Sequence, residues 1–342
     1  MKAIMYHYVR PEPDQLPYFR YLHIQDFARQ LDWLGERHGF VSRDAFELAL
    51  ATGEAPAGVV LTFDDGLADH HEHVLAELSK RGLFGFFYVC TSPLERGKLL
   101  DVHRVHLLLG RLGGQRALKR LTGRLREGML SDADRPEFHE ATYANQDNDL
   151  ATNTFKRILN YLISYDVRES LLDELFGEEF GDEGIAARRF YLDADQIREM
   201  DRAGMVVGSH GVGHYVFSKL SLTRQREEIT RSFAALSRIL GKPVDTFCYP
   251  YGGRHAFTAE TVALLREVGT RFSFDVNARD ITSADLAGPH ALPRYDCNMF
   301  PNGLASTGAT RACQPAWPEM QRTMKSVAGS NRSAACVPSD AK

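Results

Sequence analysis

The chain has 342 residues and a formal net charge of −4, with 44% hydrophobic and 25% charged residues. This length and composition are typical of a soluble globular protein that buries its core without disulfides, as one large domain or two ordinary ones. The small net charge and the lack of a dense Lys/Arg block argue against nucleic acid as a partner, and no run of about 18 apolar residues predicts a membrane span.

The cysteines are five in number, widely scattered, and form no close Cys-x-x-Cys pair; they are residues 90, 248, 297, 313 and 336. This pattern favours reduced thiols over a disulfide framework. The N-terminal MKAIMYHYVRPEP has too short an apolar stretch for a signal peptide. We therefore expect a cytoplasmic protein.

Apolar patterning predicts alternating strands and helices in the first part of the chain. The predicted strands are 2–7, 57–63 and 83–90, and the predicted helices are 26–38, 43–50 and 69–80. The run 57–63 is continuous and β-branched, as in a strand that is buried on both faces. Strand, helix and strand at this spacing predict a βαβ unit and a parallel sheet.

The segment 91–190 interrupts this alternation. Its pattern is mostly helical from 102 to 189, with no clear strand. We interpret it as a helical insertion on one loop of the fold, a position that often carries substrate specificity.

The alternation then resumes and suggests about seven β units in total. The later predicted strands are 205–209, 246–249, 271–274 and 291–294, and the later helices are 194–202, 223–240 and 258–268. A closed or nearly closed (β/α) barrel over residues 1–300 fits best, with a doubly wound open sheet as the alternative. Residues 301–342 are rich in Ser, Ala, Gly and Pro and predict a disordered tail. The charged stretch 223–231 is expected to be an exposed helix face.

The motif TFDDG places Asp64 and Asp65 directly after a predicted strand. In a parallel α/β protein, ligands bind at the carboxyl ends of the strands. A tight turn with one Asp as a helix N-cap is the alternative. Adjacent carboxylates repel each other, however, so the pair predicts a cation.

Two further motifs follow predicted strands. VVGSHGVGH places His210 and His214 four residues apart, a spacing at which two imidazoles can share one ion. FCYPYGG, residues 247–253, forms an aromatic turn that can aim a backbone N–H into a site, and its Tyr249 and Pro250 can line that site for a sugar. Ordinary turn chemistry is the alternative for this segment.

In this order, T-F-D-D-G, H-x-x-x-H and F-x-Y-P-Y-G resemble the motifs of the polysaccharide deacetylase family, carbohydrate esterase family four. The resemblance extends from the first strand to about residue 298, with the 91–190 insertion between. It implies a distorted (β/α)7 barrel, hydrolysis of an N-acetyl group on an amino sugar, and a divalent metal ion. Zinc is the first expectation for that ion, with nickel, cobalt or manganese as alternatives.

The resemblance also implies roles for individual residues. Carried over by position, Asp65, His210 and His214 would bind the metal ion. Asp64 would be the general base, and the backbone N–H of Tyr251 would stabilise the oxyanion.

Several positions depart from the family pattern. Gly211 replaces the usual Ser or Thr after the first histidine, and Cys248 and Tyr249 stand where the third motif carries Arg. Asp275 lacks a neighbouring Trp, and Arg294 stands where the general-acid His is expected.

His7 is the predicted replacement for the missing acid. It ends the first predicted strand, in the sequence AIMYHYV. The chain is similar here to the branch of poly-N-acetylglucosamine deacetylases that take their acid from an N-terminal Tyr-His strand. The alternative is a core or rim histidine bonded to the backbone. Arg294 is expected to orient Asp64 through a bidentate pair.

His103 and Arg104 open the insertion in the sequence DVHRVH. They are expected to reach the substrate, with a phosphate or an acidic sugar as the group they would contact. The alternative is that they only cap a helix.

The predicted function is therefore metal-dependent N-deacetylation of an amino sugar, in a polysaccharide or its nucleotide-linked or lipid-linked precursor. The expected partner is this sugar substrate, with neither nucleic acid nor a membrane span. Two alternatives remain: a carbohydrate-binding relative that has lost its chemistry, and an amidase or deformylase acting on a non-sugar substrate.

Overall fold

The computed structural model describes residues 1–307 apart from residues 133, 134, 141, 144, 145 and 147. Within these residues, seven of the nine strands form one sheet, and two short strands pair separately. The strands are β1 Lys2–Tyr6, β2 Val9–Arg10, β3 Leu22–His23, β4 Val59–Phe63, β5 Phe86–Val89, β6 Val206–Ser209, β7 Thr246–Cys248, β8 Phe272–Phe274 and β9 Tyr295–Asp296.

The large sheet has the order β8-β7-β6-β5-β4-β1-β9, and all its pairings are parallel. β4 lies near the middle, and all five of its residues are buried. A fully buried Val, Leu or Phe side chain contributes about 1.5–3 kcal/mol, so this strand is held firmly in the core. It delivers the Asp64–Asp65 pair to the carboxyl end of the sheet.

A single segment joins the two edges of this sheet. Leu292 bridges Phe274 in β8, and Tyr295 in β9 pairs with Ile4 in β1. The row of strands therefore curls into a distorted barrel, which confirms the predicted fold class over the open doubly wound alternative. Because the strands are parallel, their carboxyl ends share one mouth.

Helices surround the barrel and cover its mouth. They are α1 Ile24–His38, α2 Arg43–Thr52, α3 Leu75–Lys80, α4 Ser92–Arg96, α5 Asp101–Leu112, α6 Gly114–Thr122, α7 Pro136–Glu140, α8 Leu150–Arg157, α9 Tyr165–Phe180, α10 Gly184–Phe190, α11 Ala194–Arg202, α12 Leu222–Leu240, α13 Ala259–Glu267 and α14 Ser283–Leu286. Two π-helical turns, His70–Val74 and Ile158–Leu162, and two 3₁₀ turns, Phe217–Lys219 and Cys297–Met299, complete the set.

The segment 91–190, which the sequence predicts to be a helical insertion, forms the helices α4 to α10 between β5 and β6. Its apolar side chains form one cluster with residues that follow the barrel strands. Leu67, Val216 and Ala256, which come after β4, β6 and β7, are buried in that cluster. The insertion therefore packs over the carboxyl ends of the strands, where the site residues lie.

The structure differs from the predicted elements mainly at the C-terminal end. The strand predicted at 291–294 is displaced, because Leu292 bridges β8 and β9 begins only at Tyr295. The pair of β2 and β3 was not predicted, since two-residue strands carry no periodicity. Of the predicted tail 301–342, residues 301–307 are described, and Ser306 pairs with Tyr21. Residues 308–342 lie outside the described part.

Cys90, Cys248 and Cys297 are free thiols, and Cys313 and Cys336 lie outside the described residues. No helix among the described residues combines the length and the apolar character that crossing a membrane requires.

Candidate active site

Asp64 and Asp65 follow β4 in a sharp turn at the barrel mouth. Both are buried, with 2% and 3% of their surface exposed. Asp65 has a φ of +79° and Gly66 a φ of +68°. A Cβ on Gly66 would lie 2.8 Å from Cγ1 of Val89, so only glycine fits this turn. The turn separates the two carboxylates, and each meets a different set of partners.

Asp64 forms a bidentate ion pair with Arg294. Nη1 of Arg294 donates to Oδ1 at 2.8 Å, and Nη2 donates to Oδ2 at 2.8 Å. The same guanidinium also donates to Oγ1 of Thr62, to the carbonyl of Asp275 and to Sγ of Cys248. Burial raises the pKa of Asp64, but Arg294 outweighs it and lowers the pKa to about 2. The pair expected from the sequence is thus present, and Asp64 is ionised and fixed in orientation.

Asp65 meets the two histidines of the second motif. Its Oδ1 lies 3.5 Å from Nε2 of His210 and 3.2 Å from Nε2 of His214. Nδ1 of His210 lies 2.7 Å from the carbonyl of Cys248, so it donates its proton there and Nε2 carries a lone pair. Burial lowers the pKa of His210 to about 4, which keeps the ring neutral near pH 7.

These three residues fit a divalent cation. Their ligand atoms all lie within 4.8 Å of one another, and all three side chains are buried. Oδ1 of Asp65 has no hydrogen-bond partner among the described residues. A buried carboxylate oxygen without a hydrogen-bond partner, beside two imidazole nitrogens, is suited to a cation, and one carboxylate with two imidazoles leaves positions open for water and substrate.

The loop of the second motif is held by Glu228 from α12. Oε2 of Glu228 accepts hydrogen bonds from the N–H of Val212 at 2.9 Å and of Gly213 at 2.8 Å. Glu228 is only 1% exposed, so the prediction of an exposed helix face over 223–231 is wrong at this position. Its carboxylate turns inward because it satisfies two backbone donors that would otherwise be buried without partners.

Backbone strain concentrates at the same place. Of the six non-glycine residues with positive φ in the described part of the chain, three belong to the site: Asp65 at +79°, His214 at +54° and Tyr251 at +63°. Such conformations cost about 1–3 kcal/mol each and persist only where the surroundings enforce them.

His7 follows β1 at the mouth and is half-buried. The N–H of Asp64 donates to the carbonyl of Tyr6 at 3.0 Å, which sets His7 close to the acidic turn. The charge of His7 is a smaller influence on the pKa of Asp64, behind burial and Arg294. The backbone carbonyl of His7 accepts a hydrogen bond from Nε2 of His70 at 3.0 Å.

The third motif does not present Tyr249 and Pro250 to a sugar, which corrects that prediction. Tyr249 is 1% exposed, and its hydroxyl donates to the carbonyl of His290 at 2.7 Å. Its ring stacks on Phe257 with centroids 3.8 Å apart, and Pro250 is buried beside it. Both residues follow the end of β7 and are buried, so neither lines an open surface for a sugar.

Tyr251, by contrast, lies at the metal-binding cluster. Its ring centroid is 4.8 Å from that of His214. Its backbone N–H donates no hydrogen bond within the described residues. A free N–H at this position is suited to donate a hydrogen bond to an oxygen on which negative charge develops.

His103 and Arg104 do not reach an open substrate surface, so that prediction is also wrong. His103 is fully buried, and its Nε2 lies 3.0 Å from Oδ2 of Asp65. Arg104 is 3% exposed and forms ion pairs with Glu183 and, at 3.0 Å, with Asp173. His103 therefore contacts Asp65 from the side of the insertion, and Arg104 holds parts of the insertion together.

Two residues with a part in the site were missed by sequence reasoning, Glu228 and Tyr191. The hydroxyl of Tyr191 lies 2.6 Å from Nδ1 of His103. For Glu228 a signal existed, because it shares a helix face with Gln225 and Ser232, which are also buried. For Tyr191 no motif or periodicity indicated a contact with the site.

The comparisons with known proteins agree with this geometry. A family model described as polysaccharide deacetylase matches residues 147–273. No curated protein sequence matches the chain. The structure is similar to deacetylase PplD from Streptococcus pyogenes in complex with acetate, with a TM-score of 0.54 at 16% identity over 95% of this chain and 97% of that one. It is also similar to a de-N-acetylase from Aggregatibacter actinomycetemcomitans, with a TM-score of 0.50 at 15% identity over 86% of this chain and 93% of that one.

At these identities the likeness to solved structures concerns the fold, and the family model adds the match in sequence. The matched segment contains the second and third motifs, and the fold brings the first motif to the same mouth. A polysaccharide deacetylase model thus matches the part of the chain that carries the second and third motifs, and the fold is similar to that of solved deacetylases.

Proposed function

We propose that the protein is a metal-dependent hydrolase that removes the N-acetyl group from an amino sugar. Its substrate is a polysaccharide or a cytoplasmic nucleotide-linked or lipid-linked precursor of one. The observation that carries this proposal is the division between the two adjacent carboxylates. Asp64 is paired with Arg294 through both oxygens, whereas Asp65 turns an unpaired oxygen toward two imidazoles.

Asp65, His210 and His214 would hold the ion. One carboxylate oxygen and two imidazole nitrogens suit Zn²⁺, and Ni²⁺, Co²⁺ and Mn²⁺ accept the same donors. A divalent ion bound there supplies Lewis-acid chemistry, since it acidifies a water molecule and polarises the amide carbonyl.

Asp64 acts as the general base. Arg294 keeps its carboxylate ionised and in a single orientation, next to the cluster that Asp65 forms with the histidines. It takes the proton from the attacking water. Replacing a general base of this kind typically lowers turnover about 10²–10⁴-fold.

Tyr251 and His7 complete the reaction. The backbone N–H of Tyr251 donates to the carbonyl oxygen as negative charge develops on it. The C–N bond then breaks, and the amine leaves with a proton donated by His7. His7 is half-buried and directly follows β1, the strand adjacent to β4, which places it at the same mouth as Asp64.

Two other functions compete with this proposal. A carbohydrate-binding protein without catalysis has no need of a buried base locked to Arg294. An amidase or deformylase on a non-sugar substrate would use the same residues, and the structure carries no observation that favours it.

The experiment is acetate release by the full chain loaded with Zn²⁺. The substrates are poly-N-acetylglucosamine, chito-oligosaccharides, a nucleotide-linked N-acetyl sugar and a lipid-linked one. The matched control is Asp64→Asn, which keeps the size of the side chain and removes the base. We expect acetate from at least one substrate and a loss of about 10²–10⁴-fold in the variant. If none of them releases acetate, the deacetylase proposal is wrong, and formate release from an N-formyl substrate would favour the competing amidase.

A further inference from the structure

One side chain of the insertion, that of His103, contacts the metal-binding cluster of Asp65, His210 and His214. His103, in the first turn of α5, is fully buried, and its Nε2 lies 3.0 Å from Oδ2 of Asp65. Its Nδ1 lies 2.6 Å from the hydroxyl of Tyr191, which follows the insertion. Both ring nitrogens are thus engaged, and no face of the ring is open to substrate.

The direction of these hydrogen bonds follows from their donors. The N–H of Leu100 donates to the hydroxyl oxygen of Tyr191 at 2.8 Å. The hydroxyl proton of Tyr191 is then free to point at Nδ1 of His103, which accepts it. A neutral imidazole that accepts at Nδ1 carries its proton on Nε2, so His103 donates to Oδ2 of Asp65.

This donation leaves the two oxygens of Asp65 unequal. Oδ2 is occupied by His103, whereas Oδ1 has no hydrogen-bond partner among the described residues and faces His210 and His214. We propose that His103 is a positioning residue that reserves Oδ1 of Asp65 for the cation. The inference rests on the proposed function, because it takes the cation site as given and assigns what orients its carboxylate ligand.

The physical reason is the cost of orienting a carboxylate that stands on a strained turn. Without a donor on Oδ2, the carboxylate can rotate, and both oxygens compete for the ion and for water. Partners of metal ligands fix such rotations, and their loss typically weakens metal binding about 10–100-fold. Since Leu100 and His103 belong to the insertion, the packing of the insertion and the affinity for metal are linked.

The test is the dissociation constant for Zn²⁺, measured on the metal-free full chain by competition with a chromophoric chelator. His103→Leu removes the donor and keeps an apolar side chain of similar bulk. His103→Gln keeps an N–H near the position of Nε2. Tyr191→Phe keeps the ring and removes the hydroxyl that sets the tautomer. His106→Leu is the matched control, because His106 lies on the same helix and contacts Tyr8 instead of Asp65.

We expect His103→Leu to weaken Zn²⁺ binding about 10–100-fold and His103→Gln to recover most of that affinity. Tyr191→Phe should show a smaller loss, and His106→Leu should bind like the wild type. Urea unfolding of the metal-free variants reports whether each one is folded.

The inference is overturned if folded His103→Leu binds Zn²⁺ as tightly as the wild type, or if His106→Leu loses as much affinity as His103→Leu. If His103→Leu does not fold, Tyr191→Phe decides: a folded Tyr191→Phe that binds Zn²⁺ as tightly as the wild type overturns the inference. Failure of the wild type itself to bind Zn²⁺ would instead remove the metal site of the proposed function.

Discussion

The barrel and the insertion each supply a partner to one of two neighbouring carboxylates, and the two partners bind in different ways. On the barrel side, Arg294 from the segment before β9 occupies both oxygens of Asp64. On the insertion side, His103 from α5 occupies one oxygen of Asp65 and leaves the other without a partner. One strand end therefore yields a fixed, ionised base and a ligand with a free oxygen. The difference comes from the partners, since the two residue types are identical.

The segment that closes the barrel also sets the state of the base. Arg294 lies between Leu292, which bridges β8, and Tyr295, which pairs with β1. Its position depends on closure of the barrel, and its guanidinium spans the interior to reach Asp64. The segment 292–295 thus both closes the barrel and keeps Asp64 ionised and oriented.

The largest effect is expected from breaking the barrel-side pair with Arg294→Met. Asp64 would remain buried without its cation, and removing one partner of a buried ion pair typically costs about 3–5 kcal/mol of stability. Turnover should fall as well, since the base is no longer oriented. Urea unfolding and acetate release measure the two effects.

Arg104→Met is the matched control on the insertion side. Arg104 is also buried in ion pairs, with Glu183 and Asp173, but it does not contact either site carboxylate. We expect it to lower stability and leave turnover per folded molecule unchanged. Equal losses of turnover in the two variants would show that Arg294 acts only through the fold.

An effect of intermediate size is expected from Asp275, a buried carboxylate next to Arg294 that receives no bidentate pair. Burial raises its pKa to about 7 against an ordinary value of 3.8, and Oδ1 lacks a partner among the described residues. Because the folded-state pKa is raised, its contribution to stability is present below about pH 4 and lost as pH rises to about 7.

In the wild type, the unfolding free energy should therefore fall by about 3 kcal/mol or less over this pH range. In Asp275→Asn this fall should be absent. The measurement is urea unfolding of both proteins between pH 4 and pH 8. A wild type and variant with parallel pH profiles would mean that Asp275 is ionised in the fold with the aid of Arg294.

The smallest effect is expected from Tyr249→Phe. The hydroxyl of Tyr249 donates to a backbone carbonyl inside the core, so its loss should cost about 1 kcal/mol of stability. The KM for the best substrate should stay unchanged. A raised KM with unchanged stability would return Tyr249 to the substrate-binding role that its motif suggested.

The parts of the site that could be predicted from the sequence lie next to strand ends. Asp64, Asp65, His210 and His214 each follow a strand with a clear apolar pattern, and parallel strands bring such positions to one mouth. The βα alternation likewise predicted the seven-stranded parallel sheet. Arg294 was expected beside Asp64 because the third motif lacks the Arg of the family pattern. Without that Arg, the predicted base needs another cationic partner.

The parts of the site that could not be predicted depend on contacts between residues that are far apart in the sequence. His103 is 38 residues from Asp65 in sequence, and a helical pattern alone does not say where its helix packs. The inward turn of Glu228 depends on two backbone donors in another loop. The burial of Tyr249 depends on its stacking with Phe257, which a turn motif does not reveal.

Metal content of Asp65→Asn and Asp64→Asn, purified in parallel with the wild type, tests the central claim most directly. Asp65→Asn keeps the shape of the side chain and removes the charge that faces both histidines. The account predicts about one Zn²⁺ per chain in the wild type and in Asp64→Asn, and little or none in Asp65→Asn. Equal metal content in all three proteins would contradict it.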